Sequence, residues 1–202
     1  MKIKLCGLTR ECDIEWANDL KPDYIGFVFA KKSRRYVSPD KARMLKNLLN
    51  PSIKAVGVFV NEEMENIASL LNEGIIDVAQ LHGQESAEDI RKLRSLTSPD
   101  KKIIQAFRID TKEDVTKAND SLADFVLLDS GCGGTGTSFD WDLLKEIKRD
   151  YFLAGGLDAT KISAVKKNLK PYAVDVSSGI ERDGYKDQKK MAAFVKAVRE
   201  GE

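Results

Sequence analysis

The chain has 202 residues, of which 42% are hydrophobic and 32% charged, and 33 Lys and Arg against 32 Asp and Glu leave a net charge of +1. A nucleic-acid binder usually carries a large basic excess, so this balance argues against a polyanionic partner; no apolar run approaches the roughly 20 residues that cross a bilayer. The length fits one domain, taken as residues 1–202, and three cysteines, Cys6, Cys12 and Cys132, are too few for a disulfide framework, which with no signal peptide before the first strand points to free thiols in the cytoplasm.

Eight apolar runs follow one another, each succeeded by an amphipathic stretch. The first strand is expected over Lys2 to Cys6, with a helix through Ile14, Trp16, Ala17 and Leu20. The second covers Asp23 to Phe29, and a basic loop leads from it to Ser38-Pro39, an N-cap with proline at the first helical position. The third covers Lys54 to Val60, with Asn61 as the expected cap of Glu62-Glu63-Met64-Glu65. The fourth covers Ile76 to His82 and is followed by Ser86-Ala87-Glu88-Asp89, where a helix opens; the fifth covers Lys102 to Phe107, before the cap Thr111. The sixth covers Asp124 to Asp129, the seventh Tyr151 to Ala154 with Asp158 as the next cap, and the eighth Tyr172 to Ser177. A last helix runs from about Asp187 to Val198.

Val56-Gly57-Val58-Phe59-Val60 and Phe125-Val126-Leu127-Leu128 are apolar on both faces, as parallel strands buried between helices and a packed interior are. Strand–helix units recurring without a linker predict an α/β protein with a single (β/α)8 TIM barrel, over the alternative of an open doubly wound sheet. In such barrels the working groups stand where the strands end.

Several strand ends carry chemistry. Gly155-Gly156 ends the seventh run and Ser177-Ser178-Gly179 the eighth; glycine lets backbone N–H groups approach an anion, and the loops after strands seven and eight are the usual phosphate site of this fold. Cys6 shares a strand face with Lys4, and if Leu5 packs outward, both point into the barrel. Cys6 reads either as a small buried hydrophobe or as a thiolate favoured by the nearby ammonium. Asp129 is either a general acid or base or a loop cap. Asp175 stands on the opposite face from Val174 and Val176, and as a buried carboxylate it needs partners such as ligand hydroxyls or Lys4. Lys31-Lys32-Ser33-Arg34-Arg35-Tyr36 is a solvated loop or a clamp for an anionic substrate, with one arginine gripping a carboxylate bidentately. His82, the only histidine, is a site wall or a hydrogen-bonded strand end, and one histidine without C-x-x-C spacing makes a metal site improbable. Gly131-Cys132-Gly133-Gly134-Thr135-Gly136 matches G-x-G-x-x-G, but the expected helix starts later, near Ser138, and no ribose-binding acid follows about 20 residues on. A lid is the better reading. Glu181 to Lys186 receives no role beyond a lid or linker.

Taken together, Lys4-Leu5-Cys6-Gly7, Gly26-Phe27-Val28-Phe29 with Ser33-Arg34-Arg35-Tyr36, Gln80-Leu81-His82-Gly83, Leu127-Leu128-Asp129-Ser130, Ala154-Gly155-Gly156-Leu157 and Asp175-Val176-Ser177-Ser178-Gly179 resemble the phosphoribosylanthranilate isomerase family. The resemblance spans nearly the whole chain in order. It implies an Amadori rearrangement in tryptophan biosynthesis, with Cys6 as general base, Asp129 as general acid and Arg35, beside Arg34, on the anthranilate carboxylate. His82, Asp175, Gly155, Gly156, Ser178 and Gly179 would bind the rest of a small phosphosugar substrate. It further implies no cofactor and no metal; nucleic acid and membrane are not expected partners, and both monomer and homodimer stay open. Competing readings are another phosphosugar barrel enzyme, such as an indole-glycerol-phosphate synthase relative, and a catalytically silent barrel.

Overall fold

The computed structural model describes residues 1–129 and 141–200. Eight strands build the barrel: β1 Lys2–Cys6, β2 Tyr24–Val28, β3 Lys54–Phe59, β4 Val78–Leu81, β5 Lys102–Arg108, β6 Phe125–Asp129, β7 Tyr151–Ala154 and β8 Ala173–Val176. They are parallel and close into a barrel in chain order. Closure is explicit at β1, which pairs with β2 on one side and β8 on the other, so the open-sheet alternative is excluded. Helices stand between the strands: α1 Glu11–Leu20, α2 Pro39–Leu48, α3 Met64–Asn72, α4 Ala87–Leu96, α5 Lys112–Asn119, α6 Trp141–Leu144 and α7 Ile162–Asn168, with α8 Gln188–Arg199 last. The expected lid at Gly131 to Gly136, its Cys132 and the helix start near Ser138 lie outside the described residues. Among the described residues no helix is long and apolar enough to cross a membrane.

Two apolar cores follow from strands that are buried on both faces. Inside the barrel, Val56, Val78, Ile104, Leu127, Phe152 and Ala173 pack together, with Tyr24, Phe125 and Tyr172 against them. These rings meet edge to face (Tyr24 and Phe152, 5.4 Å between centroids) and stacked (Phe125 and Tyr172, 4.9 Å). Tyr24, Phe125 and Tyr172 stand at the starts of their strands, so bulky rings fill the N-terminal end and leave the C-terminal mouth to polar groups. The second core, between strands and helices, takes Ile3 and Leu5 from β1, Val174 and Val176 from β8, and Ile14 and Phe194 from the helices.

Local chemistry starts three helices at their expected caps. Ser38 Oγ accepts from Lys41 N at 3.2 Å ahead of Pro39. Ser86 with Asp89 and Thr111 with Asp114 form reciprocal capping boxes. Two expected caps do other work. α3 starts from Glu63, not Asn61: Asn61 adopts a left-handed φ of 52° and accepts from Gln84 N at 2.8 Å through Oδ1, tying the loops after β3 and β4 together. α7 starts only at Ile162, because Asp158 accepts from Thr160 N at 2.8 Å and closes a separate turn first. A side chain that bonds its own nearby backbone competes with helix initiation.

Candidate active site

Alternation along β1 sends Ile3 and Leu5 into the outer core and leaves Lys4 and Cys6 facing the barrel interior. The same alternation on β8 turns Asp175 inward. The register sets Lys4 beside Asp175, and the fully buried Lys4 ammonium lies 2.9 Å from Asp175 Oδ2. Asp175 Oδ1, also buried, has no hydrogen-bond partner among the described residues. Burial without a partner is costly, so this oxygen is a ready acceptor for a ligand hydroxyl.

A cavity of about 820 Å³ opens at the C-terminal mouth. Its wall holds Cys6 at the end of β1, Asp129 at the end of β6 and Arg35 from the loop after β2. His82, Gly155, Gly156, Asp175 and Ser178 complete the set of expected site residues in that wall. Gly179 does not line it. A Cβ at Gly179 would stand 1.9 Å from the Leu157 carbonyl oxygen, so this glycine packs the loop after β8 against the loop after β7. Gly155 and Gly156 have φ of 93° and 58°, a region that L side chains rarely adopt.

Close approaches shape the cysteine end. A Cβ at Gly26 would stand 2.6 Å from Cys6 Sγ, and one at Gly7 would stand 2.5 Å from Arg35 Cδ. The neighbouring glycines therefore make room for the thiol and for the arginine stem. Arg34 is 63% exposed and outside the cavity wall, whereas Arg35 is 22% exposed and within it. His82 fits both of its expected descriptions. It lines the wall, Gln80 bonds its Nδ1 at 2.9 Å, and its Nε2 lies 3.7 Å from Asp129 Oδ2. Among the described residues no group of three or more His, Cys, Asp or Glu side chains could hold a metal ion.

The N-(5'phosphoribosyl)anthranilate (PRA) isomerase family matches this sequence over residues 3–197. The chain belongs to that family. The N-(5'-phosphoribosyl)anthranilate isomerase of Thermoanaerobacter sp. (strain X514) is 43% identical over 205 residues, 98% of each chain. The crystal structure of phosphoribosyl anthranilate isomerase from Thermotoga maritima superposes with a TM-score of 0.87 at 33% identity, covering 98% of both chains. A structure of phosphoribosyl anthranilate isomerase in complex with reduced 1-(o-carboxyphenylamino)-1-deoxyribulose 5-phosphate matches with a TM-score of 0.85 at 33% identity and the same coverage.

Within this PRA isomerase chain the electrostatics of the thiol side with burial, one of the two readings of Cys6, over a thiolate favoured by the nearby ammonium. Burial pushes the Cys6 thiol above its ordinary pKa; Lys4 and Lys186 pull it back without undoing the rise, and Asp175 adds to it. The Lys4 ammonium is indeed adjacent, but its charge is shared with Asp175. Burial pulls Lys4 down, yet Asp175 and Cys6 together hold it above its ordinary value. The balance at Cys6 thus favours the thiol over the thiolate.

The stretch after β8 also differs from expectation. It is neither lid nor linker but a hairpin, β9 Glu181–Arg182 paired antiparallel with β10 Tyr185–Lys186. Asp183 and Gly184 turn it with φ of 50° and 85°. Asp-Gly between two extended pairs is a sequence signal for this turn. The hairpin buries Glu181 and Lys186, 7% and 4% exposed. Lys186 Nζ donates to the Ser177 carbonyl at 2.9 Å, and Ser177 Oγ donates to the Cys6 carbonyl at 3.2 Å. Glu181 and Lys186 are site-building residues that sequence reasoning missed, and Ser177, read there only as part of the phosphate loop, also supports the Cys6 end.

Proposed function

We propose that the chain isomerises N-(5-phosphoribosyl)anthranilate to 1-(2-carboxyphenylamino)-1-deoxyribulose 5-phosphate, the Amadori rearrangement of tryptophan biosynthesis. Cys6 is the general base and Asp129 the general acid. The observation that carries this assignment is the shared wall: a thiol, a carboxyl group, a guanidinium and two glycine-containing loops border one cavity. The ligand named in the related complex has a phosphate, a polyol and an aromatic carboxylate, which are the groups this wall is suited to receive. The backbone at Gly155, Gly156 and Ser178 takes the phosphate, with Gly179 holding the two loops together. Asp175 Oδ1 takes a sugar hydroxyl, Arg35 takes the carboxylate and His82 borders the acid.

The chemistry needs one proton delivered and one removed. Asp129 protonates the furanose ring oxygen while the C1′–O bond breaks, and the nitrogen lone pair forms a C1′=N bond. The Cys6 thiolate removes the C2′ proton; the C–H electron pair becomes a C1′=C2′ bond and the C=N pair returns to nitrogen. The resulting enolamine gains a proton at C1′ and loses one from the C2′ hydroxyl, giving the ketone. Cys6 and Cys12 are free thiols, which suits the cytoplasm as the site of this work.

Loss of anthranilate fluorescence, followed on substrate generated in situ, tests the roles. Cys6→Ala and Asp129→Asn are each expected to lower kcat by at least about 10²-fold, as for positioned acid–base groups. Near-normal turnover in either variant removes that residue from its role, and no turnover by the unaltered protein favours the silent barrel.

A further inference from the structure

Glu181 stands behind the cavity wall, and four hydrogen bonds converge on its carboxylate. Arg35 donates through Nε to Oε1 at 2.6 Å and through Nη2 to Oε2 at 2.9 Å. Arg34 Nη2 donates to Oε2 at 2.8 Å, and Lys186 Nζ to Oε1 at 2.7 Å. Four donors match the roughly four lone-pair sites of a carboxylate, so Glu181 has no capacity left for a substrate. Burial alone would raise its pKa, but Arg35 and Lys186 hold it down to about 2, so the carboxylate is charged at neutral pH.

The geometry of the fork is the informative part. Glu181 occupies the Nε and Nη2 edge of Arg35 and does not touch Nη1. A guanidinium offers five donors in a rigid plane, so fixing one edge also orients the opposite one. The Arg35 stem is confined by its passage over Gly7, and its backbone N–H donates to Ser33 Oγ at 3.1 Å. Without an anion at Glu181, Arg34, Arg35 and Lys186 would repel one another. With it, three cations against one carboxylate still leave this side of the mouth two charges positive. We infer that Glu181 is the positioning residue of Arg35, presenting the free edge of the guanidinium to the aromatic carboxylate of the substrate. The inference rests on the assignment of that carboxylate to Arg35.

The opposite possibility, that Glu181 competes with the substrate for Arg35, makes the reverse prediction, and binding measurements separate the two. The probes are reduced 1-(o-carboxyphenylamino)-1-deoxyribulose 5-phosphate and its counterpart without the carboxylate, titrated calorimetrically into the full-length protein. Glu181→Gln is expected to weaken the carboxylate-bearing probe at least about tenfold and the other less than about twofold, since a charge-assisted bidentate contact is lost to one probe only. Glu181→Asp keeps the charge but withdraws it by one methylene; it is expected to show the same selectivity and serves if the Gln variant does not fold. In Arg35→Ala, adding Glu181→Gln is expected to cause no further loss. Equal weakening of both probes would mean that Glu181 supports the fold or the phosphate loops, and unchanged or tighter binding would mean competition; each overturns the inference. Failure of the underlying reading shows separately: if Arg35→Ala alone leaves the carboxylate-bearing probe unaffected, Arg35 is not its partner and both assignments fall.

Discussion

Cys6 is set by opposing influences of comparable reach. Its side chain is buried against Gly26, which favours the thiol, while two buried ammonium groups, Lys4 and Lys186, favour the thiolate. Burial wins, and Asp175, the carboxylate paired with Lys4, adds to the rise. The reactivity of Cys6 toward iodoacetamide, followed by mass spectrometry across pH, is therefore expected to rise with a midpoint above the ordinary thiol value of about 8.5. A midpoint below that value would show that the lysines outweigh burial. At this scale the sequence revealed the inward face shared by Lys4 and Cys6, because period-two alternation is a local property. It did not reveal the sign of the balance, which depends on Asp175 and Lys186, partners 169 and 180 positions along the chain from Cys6.

Among the elements, the eight strand ends were legible because each apolar run gives way to an amphipathic stretch and several terminate on a small or polar residue. β1 and β7 match their expected bounds, and the other strands shift by one or two residues at either end. Loop detail was less legible. Asn61 and Asp158 have the right chemistry to cap helices, but each spends its side chain elsewhere, and only the neighbouring loop or turn decides which bond is made. The hairpin after β8 carried an Asp-Gly signal, yet its burial of Glu181 and Lys186 depends on Arg35 and Ser177 reaching it from other loops. Gly179 illustrates a contact between elements that no pattern announces. Gly179→Ala would drive a Cβ into the Leu157 carbonyl, and since backbone yields poorly the overpacking is expected to cost about 1–3 kcal/mol. In a thermal melt the midpoint should fall by at least about 3 °C, with weaker inhibition by inorganic phosphate. An unchanged midpoint would show that the loops after β7 and β8 do not pack at this glycine.

For the molecule as a whole, the two cores have different tolerance for loss. Phe152 is fully buried inside the barrel, where strands enclose it on all sides and rings of Tyr24, Phe125 and Tyr172 touch it. Phe152→Ala is expected to lower the unfolding free energy by about 3–5 kcal/mol in urea titrations, because a closed barrel collapses poorly into a cavity. Met44, 60% exposed on α2, serves as the control, and Met44→Ala should stay within about 0.5 kcal/mol. A small effect at Phe152 would mean that the barrel interior repacks freely. The barrel, and the strand ends that bear Cys6, Asp129, Gly155 and Ser178, are legible from residue order alone, since hydrophobic periodicity and strand termini are written locally. Three-dimensional packing adds that Arg34 stays outside the wall that Arg35 enters, that Gly179 joins two loops without lining the cavity, and that Glu181 gathers three cations. Those outcomes depend on distances between loops from different parts of the chain, which closure of the barrel sets and no local pattern encodes.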